Sequence, residues 1–259
     1  MSCLELTVTN GVGVITLNRP EALNAFNVEL KLALRAALER VAVDPEVRAV
    51  LMTGQGRGFS VGQDLSEHTQ ILATGTALNT VAEHFNPILS LITTMPKPIV
   101  AGVNGTAAGV GLSIVLACDL RVGASGSKYT TAFAPIGLTT DGGMSWTLPR
   151  LVGLAKAQEL ILLGKPFTSE QALEWGILNR LVPPDELLAT ATALAEELAQ
   201  GATTGIGLSK RGLLFASSST LEEALSQEAE SQLIAGATND HATAVKSFLA
   251  KEKPTFTGT

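Results

Sequence analysis

The apolar residues change period along the chain, and the change divides it into two regions. Near the start, Val12, Val14 and Thr16 alternate with Gly13, Ile15 and Leu17, the period of two expected of a strand. Asn10-Gly11 precedes this run and predicts a hairpin back to Leu4–Val8. Asn18-Arg19-Pro20 breaks the pattern. Leu30, Leu34, Leu38 and Val41 then recur at helical spacing, predicting an amphipathic helix over Val28–Val43 that Asp44-Pro45 stops. An apolar strand follows at Val47–Thr53, a loop at Gly54–Gly58 and a longer helix at Ala77–Thr93. Pro96-Lys97-Pro98 ends that helix and feeds a strand at Ile99–Val103. Gly105–Gly111 is small and flexible, Leu112–Ala117 is apolar and helix-capable, and Asp119–Val122 reads as a further strand. Strand and helix in alternation predict an α/β fold with mostly parallel, buried strands.

The last third is helical. The pattern predicts helices at Ser169–Trp175, Pro184–Ala199, Ser209–Ala216, Leu221–Ala235 and Thr243–Ala250. Ser169 and Thr220 are expected N-caps, Thr220 with Glu223 in capping-box spacing. The chain therefore divides into an α/β core over residues 1–200 and a helical C-terminal region over residues 201–259.

Composition narrows the function classes. Charged residues make up 16% of the 259 positions and hydrophobic residues 46%, with a net charge of −6, which excludes a disordered chain. So little charge implies that part of the surface is buried against another subunit. A pI near 5.2 argues against a general nucleic-acid binder, which needs clustered Lys and Arg. Cys3 and Cys118 cannot make a disulfide framework. No apolar run approaches the roughly 20 residues of a membrane span, and Met1–Asn10 does not read as a secretory signal, so a soluble cytoplasmic protein is expected. His68, His84 and His241 are scattered and predict no metal site. No Gly-x-Ser-x-Gly elbow and no Walker A pattern occur.

Two glycine-rich segments stand out: Gly58–Leu65, with Gly62-Gln63-Asp64, and Asn104–Leu112, with Gly109-Val110-Gly111. Each follows a predicted strand, and the second opens a helix. They read either as tight strand-to-helix turns or as places where backbone N–H groups approach a ligand, with negative charge favoured at the helix start.

Together these segments, with Val14–Ala25, Pro96–Ala101, Gly137–Gly143, Leu163-Gly164, Gly176, Val182 and Ser247–Lys251, resemble the crotonase family, also called the enoyl-CoA hydratase/isomerase superfamily. The resemblance implies a spiral of ββα units with a helical C-terminal trimerisation region, assembled as a trimer or hexamer. It implies acyl-CoA thioester substrates and no cofactor beyond the coenzyme A of the substrate. By motif position, the N–H groups of Gln63 and Val110 form the oxyanion hole. Ala22, Leu23, Val61, Asp64, Gly109 and Phe133 line the substrate and CoA site, and Phe248 and Lys251 reach a CoA from a neighbouring subunit.

The sequence departs from the family's hydratases at both glutamates: Ser113 and Phe133 stand at their positions. One carboxylate remains, Asp141, where the family's Δ3,Δ2-enoyl-CoA isomerases carry a single acid. The similarity is greatest to the ring-epoxide isomerase branch of phenylacetate breakdown, through Ala107-Ala108-Gly109, Phe133, Asp141-Gly142-Gly143, Trp146, Leu148-Pro149-Arg150 and Glu174-Trp175-Gly176. An acyl-CoA isomerase with Asp141 as proton shuttle is thus expected, acting on 1,2-epoxyphenylacetyl-CoA, on 3-enoyl-CoA, or on both. The alternatives are a hydratase-type enzyme with unconventional acid and base, and a non-catalytic acyl-CoA-binding protein. Read without the resemblance, Asp141 is a turn residue beside two glycines. Ser113 reads as a helix serine bonded to its own backbone, and Asp119 as structural. Glu67 is a weaker base candidate, and Phe85, Phe133 and Trp146 are candidates for an aromatic-compatible pocket.

Overall fold

The computed structural model describes residues 2–72 and 75–259. The first hairpin forms as the pattern predicts: β1 (Leu4–Thr9) pairs antiparallel with β2 (Val12–Leu17), Leu4 opposite Leu17, and Asn10 and Gly11 make the turn. Helix α1 (Val28–Val43) buries Leu30, Leu34, Leu38 and Val41, and the Asn27 side chain caps it by accepting from the N–H of Leu30 at 3.0 Å. These leucines have no exposure at all, so Leu34→Ala is expected to cost about 2–5 kcal/mol.

Three strands then enter one sheet and step out into a second. The order is β3 (Ala49–Gly54), β4 (Gly58–Ser60), α2 (Leu65–Leu72), α3 (Asn86–Thr94), β5 (Ile99–Val103), β6 (Thr106–Ala108), α4 (Val110–Ala117), β7 (Leu120–Ala124) and β8 (Lys128–Thr130). In the six-stranded sheet β1-β2-β3-β5-β7-β10, in which β10 is Arg180–Val182, every pair but the first is parallel. In the four-stranded sheet β4-β6-β8-β9, in which β9 is Phe167–Thr168, the β4–β6 and β6–β8 pairs are parallel. Each ββα unit crosses between the sheets at the same level. Pairing of β4 with β6 therefore sets the loop after Ser60 beside the loop after Ala108. Helix α4 is buried along its whole length, as its unbroken apolar sequence requires.

The remaining elements are α5 (Met144–Val152), α6 (Leu154–Leu163), β9 (Phe167–Thr168), α7 (Ser169–Glu174), β10 (Arg180–Val182), α8 (Leu187–Ala199), α9 (Thr203–Ala216), α10 (Leu221–Gly236) and α11 (Asn239–Ala250). Helix α8 covers the outer face of the large sheet, with Ala191, Leu194 and Ala195 against Leu51, Val100 and Val122. Lys210 ties α9 to the sheet, its Nζ donating to the carbonyls of Ile92 and Lys97 and to Asp119 Oδ2 at 2.8, 3.2 and 2.8 Å. The C-terminal segment folds back over the same chain: Asp240 accepts from the N–H groups of Thr257 and Gly258, and Arg48 donates to the carbonyls of Phe256 and Gly201. Among the described residues no helix is long and apolar enough to cross a membrane.

Several expectations need correction. The long helix over Ala77–Thr93 is broken: a 3₁₀ turn at Ala77–Asn79 and a π turn at Val81–Phe85 precede α3. Thr168, not Ser169, caps α7, in a capping box with Gln171. The Thr220–Glu223 box on α10 forms as predicted. The flexible stretch Gly105–Gly111 holds β6 and starts α4 two residues early. Helices α9 and α11 begin at Thr203 and Asn239, upstream of the expected starts. Helices α2, α5 and α6 are additional to the expected elements; α5 buries Met144, Thr147 and Leu148 and α6 buries Ala157 and Leu160.

Candidate active site

Two backbone donors meet where the paired loops touch. Phe26 donates its N–H to Gly62 O at 2.7 Å and accepts from the N–H of Asp64 at 3.1 Å. This parallel bridge turns the N–H of Gln63 away from Phe26. Gly62 sits at φ 90°, and a Cβ there would stand 2.9 Å from the carbonyl oxygen of Ala108 and 3.5 Å from Val110 N. Only glycine allows so close an approach. Val110 is the first residue of α4, and an N–H in a helix's first turn lacks an intrahelical acceptor. The structure thus brings Gln63 and Val110 together, each on a neighbouring loop.

A polar framework behind the loops holds them. Asn24 is wholly buried; its Oδ1 accepts from Arg19 N, and its Nδ2 donates to the carbonyls of Gln55 and Gly58. Ser60 Oγ donates to Asn24 O at 2.8 Å. Leu23, at φ 49°, follows the 3₁₀ turn Pro20–Ala22, and its carbonyl accepts from Val61 N at 3.2 Å. Leu23 is thus joined to Val61, which precedes Gly62 and Gln63 on the loop that Asp64 ends, and Ala22 closes the 3₁₀ turn just before Leu23. Burial acts to raise the Asp64 carboxyl, but Arg19 at 3.0 Å and the N–H groups of Glu67 and Ser66 hold it below the usual carboxylate range. Asp64 is a fixed anion that orders the loop.

Asp141 comes from the other side. Ser113 lies one turn into α4 and its Oγ donates to the Asp141 carbonyl at 3.0 Å, a shorter contact than the 3.4 Å to its own helix at Gly109 O. Gly142, at φ 57°, presses on that turn; a Cβ there would stand 2.7 Å from Ser113 Cβ and 3.3 Å from Val110 Cγ2. The residue after Asp141 thus packs against Val110, the first residue of α4. Among the described residues, Asp141 Oδ1 is buried and has no hydrogen-bond partner. Burial, with no neighbouring cation to offset it, pushes the Asp141 carboxyl up to about 6. Phe133 is buried, and its ring tip lies 4.0 Å from where a Cβ on Gly109 would be. An apolar wall stands at that position.

The other candidates are placed as follows. Glu67 accepts from Val28 N at 2.9 Å and lies 3.6 Å from the buried Lys31 ammonium, so it ties α2 to α1. Asp119 accepts from Ile99 N and pairs with Lys210, a structural role as expected. Phe85 does not line the site: it packs edge-on against Phe26 and lies beneath Lys31 Nζ at 5.2 Å. Trp146 borders a cleft of about 260 Å³ that begins at Gly142 and Gly143. Phe248, 82% exposed, and Lys251 stand on the open side of α11, joined to Gln63, Val110 or Asp141 by no hydrogen bond or ion pair among the described residues. Sequence reasoning missed the roles of Arg19, Asn24 and Lys31. A buried Asn and Lys carry no signal in an apolar pattern. The Asn18–Asn24 segment drew attention only as part of a motif.

Two convergent N–H donors favour a carbonyl oxygen that gains negative charge. A buried carboxylate on the turn that packs against the start of α4, its acidity weakened, suits proton abstraction from a carbon next to a carbonyl. Among the described residues no cluster of three or more His, Cys, Asp or Glu is placed to hold a metal.

Known proteins with this chain's pattern agree. The sequence profile described as enoyl-CoA hydratase/isomerase matches residues 7–259. A 1,2-epoxyphenylacetyl-CoA isomerase of Escherichia coli is 41% identical over 97% of both chains. A Rhodobacter capsulatus protein that carries the name probable enoyl-CoA hydratase is 37% identical over 97% of this chain and 96% of its own. A crystal structure from Mycobacterium abscessus, of a protein named for enoyl-CoA hydratase/isomerase activity, superposes with a TM-score of 0.96 at 38% identity. It covers 99% of this chain and all of its own.

Proposed function

The chain belongs to the enoyl-CoA hydratase/isomerase family, and on that footing we propose that it is an acyl-CoA isomerase in which Asp141 moves a proton between two carbons of the acyl group. The thioester oxygen accepts from the N–H groups of Gln63 and Val110. Ionised Asp141 removes a proton from the carbon beside the thioester, and the negative charge passes to that oxygen. The protonated carboxyl then returns the proton to a carbon further along, and the double bond moves. No water enters the balance and no cofactor beyond coenzyme A is required. For an epoxide of phenylacetyl-CoA, the same abstraction occurs at the carbon between thioester and ring. The name of the Escherichia coli relative supports that substrate.

The observation that carries this reading is the lone, shielded Asp141 carboxyl, with Ser113 and Phe133 where a hydratase would need two glutamates. Phe133 puts a buried apolar ring beside Gly109 in place of an acid, which favours return of the proton over hydration. The test is conjugated-thioester absorbance on adding a 3-enoyl-CoA to the wild-type protein and to Asp141→Asn. Absorbance that rises with wild type alone supports the reading. Hydrated product from a 2-enoyl-CoA at comparable rate moves it to the hydratases. Binding of acyl-CoA without any turnover moves it to a binding protein.

We also propose that residues 201–259 serve self-association, as a trimer or hexamer in the cytoplasm. Leu221, Leu225, Leu233 and Ile234 on α10 and Phe248 and Leu249 on α11 are exposed. So large an apolar surface on helices already tied to their own core calls for cover. Light scattering after size exclusion reads the assembly directly, and a monomer at micromolar concentration would refute it.

A further inference from the structure

Two clefts meet at a single wall. The first, about 260 Å³, lies between α3, α5 and α9 and is lined by Gly142 and Gly143, the residues that follow Asp141, and by Leu89, Thr93 and Thr147. The second, about 500 Å³, lies beyond it between α9 and α10 and holds Leu208, Phe215, Gln227 and Ile234. Trp146 and Leu214 line both. Trp146 stands in the first turn of α5, where its N–H bonds to Gly143 O at 2.9 Å, so its place relative to Asp141 is set by the turn that carries both. Its ring is braced: the Arg150 guanidinium stacks over it at 4.0 Å and donates to the Trp146 carbonyl at 2.8 Å. The first cleft has no charged side chain in its lining, only apolar and small polar groups. An uncharged acyl group fits such a space.

From this arrangement we infer that Trp146 is a specificity-determining residue: braced by Arg150, it ends the acyl cleft and sets the length of acyl group accepted at Asp141. The inference rests on the reading of Asp141 as the reacting end of the cleft. Short or ring-bearing acyl groups stop at the indole face. Longer chains meet the wall, and the space on its far side becomes available only when the ring is shortened.

Equilibrium binding of saturated acyl-CoAs, hexanoyl through dodecanoyl, to wild type, Trp146→Ala and Trp146→Phe tests this without any turnover. Calorimetry gives the dissociation constants. Each further buried methylene is worth roughly fourfold in affinity, so the dodecanoyl preference over hexanoyl is expected to rise by about tenfold or more in Trp146→Ala. Trp146→Phe keeps a ring and is expected to hold the wild-type preference within about threefold. Arg150→Gln leaves the indole and removes its brace, so a smaller rise is expected there, readable even if Trp146→Ala fails to fold. An unchanged preference in Trp146→Ala and Arg150→Gln overturns the inference, as does absence of acyl-CoA binding by wild type. Failure of the isomerase reading shows separately, as absence of Asp141-dependent conjugation while the binding preference still shifts.

Discussion

Replacing Asp141 with Asn separates the residue's function from its cost to stability. The carboxyl is raised by burial from 3.8 to about 6. At about 1.4 kcal/mol per pH unit, ionised Asp141 costs the native state about 3 kcal/mol. The sign follows from the order of titration. Below about pH 4 the group is protonated in both the folded and the unfolded chain, and no penalty exists. As pH rises towards 6 the unfolded chain loses its proton first, so the native state weakens; above about 6 the full cost applies. Asn has nearly the same shape and no charge, and Ser113 holds the backbone carbonyl of residue 141 rather than its side chain. Asp141→Asn is therefore expected to unfold at higher urea than wild type at pH 7–8, by up to about 3 kcal/mol, with the difference closing near pH 4. Urea midpoints at fixed protein concentration over that pH range measure it. Equal stability at all pH values would refute the burial of this carboxyl, and so would a difference that does not depend on pH. In the same variant, isomerisation is expected to fall on the order of 10²–10⁴-fold. In wild type, kcat/KM is expected to climb with pH and level off above about 6, because the base must be ionised.

Three further substitutions probe the framework. Gly62→Ala forces a Cβ against the Ala108 carbonyl at 2.9 Å and displaces one oxyanion loop; kcat is expected to drop on the order of 10²-fold, with acyl-CoA binding affected far less. Ser113→Ala removes the tether to the Asp141 carbonyl, costs about 1 kcal/mol in denaturant unfolding and lowers kcat more than it raises KM. Lys210→Met leaves Asp119, whose carboxyl burial already raises, without its ammonium partner; a loss of about 3 kcal/mol is expected, and a loss below about 1 kcal/mol would contradict the tie between α9 and the sheet.

The elements that the sequence made legible are those whose signal is local. Leu30, Leu34, Leu38 and Val41 cannot be anything but one face of a helix, and Asn10-Gly11 turns a hairpin by its own geometry. Short strands such as β6 and β9 have two or three residues and exist only because β4 and β8 offer them edges. The π turn at Val81–Phe85 lies where Lys31 is buried against Thr80 and Phe85, a tertiary demand with no trace in the apolar period. At the site, the glycine-rich segments marked two loops without assigning them chemistry; the family resemblance alone singled out Gln63, Val110 and Asp141, and the fold sets the loops of Gln63 and Val110 together. Ser113 shows the limit of such reading: it was expected to bond its own helix, and its closer bond reaches across to Asp141. The exposed Phe248 and Lys251 acquire a role only if a second copy of the chain supplies the rest of their surroundings.

The central claim, that one shielded carboxylate carries a proton from one carbon to another, is tested most directly in deuterated water. A single turnover of a 3-enoyl-CoA is run there and the product weighed by mass spectrometry. The account predicts product with fewer than one deuterium per molecule on average, and product formed on the order of 10²–10⁴-fold more slowly by Asp141→Asn. Turnover undiminished in Asp141→Asn, whatever the deuterium content, would mean that another group or water does the transfer, and would contradict it.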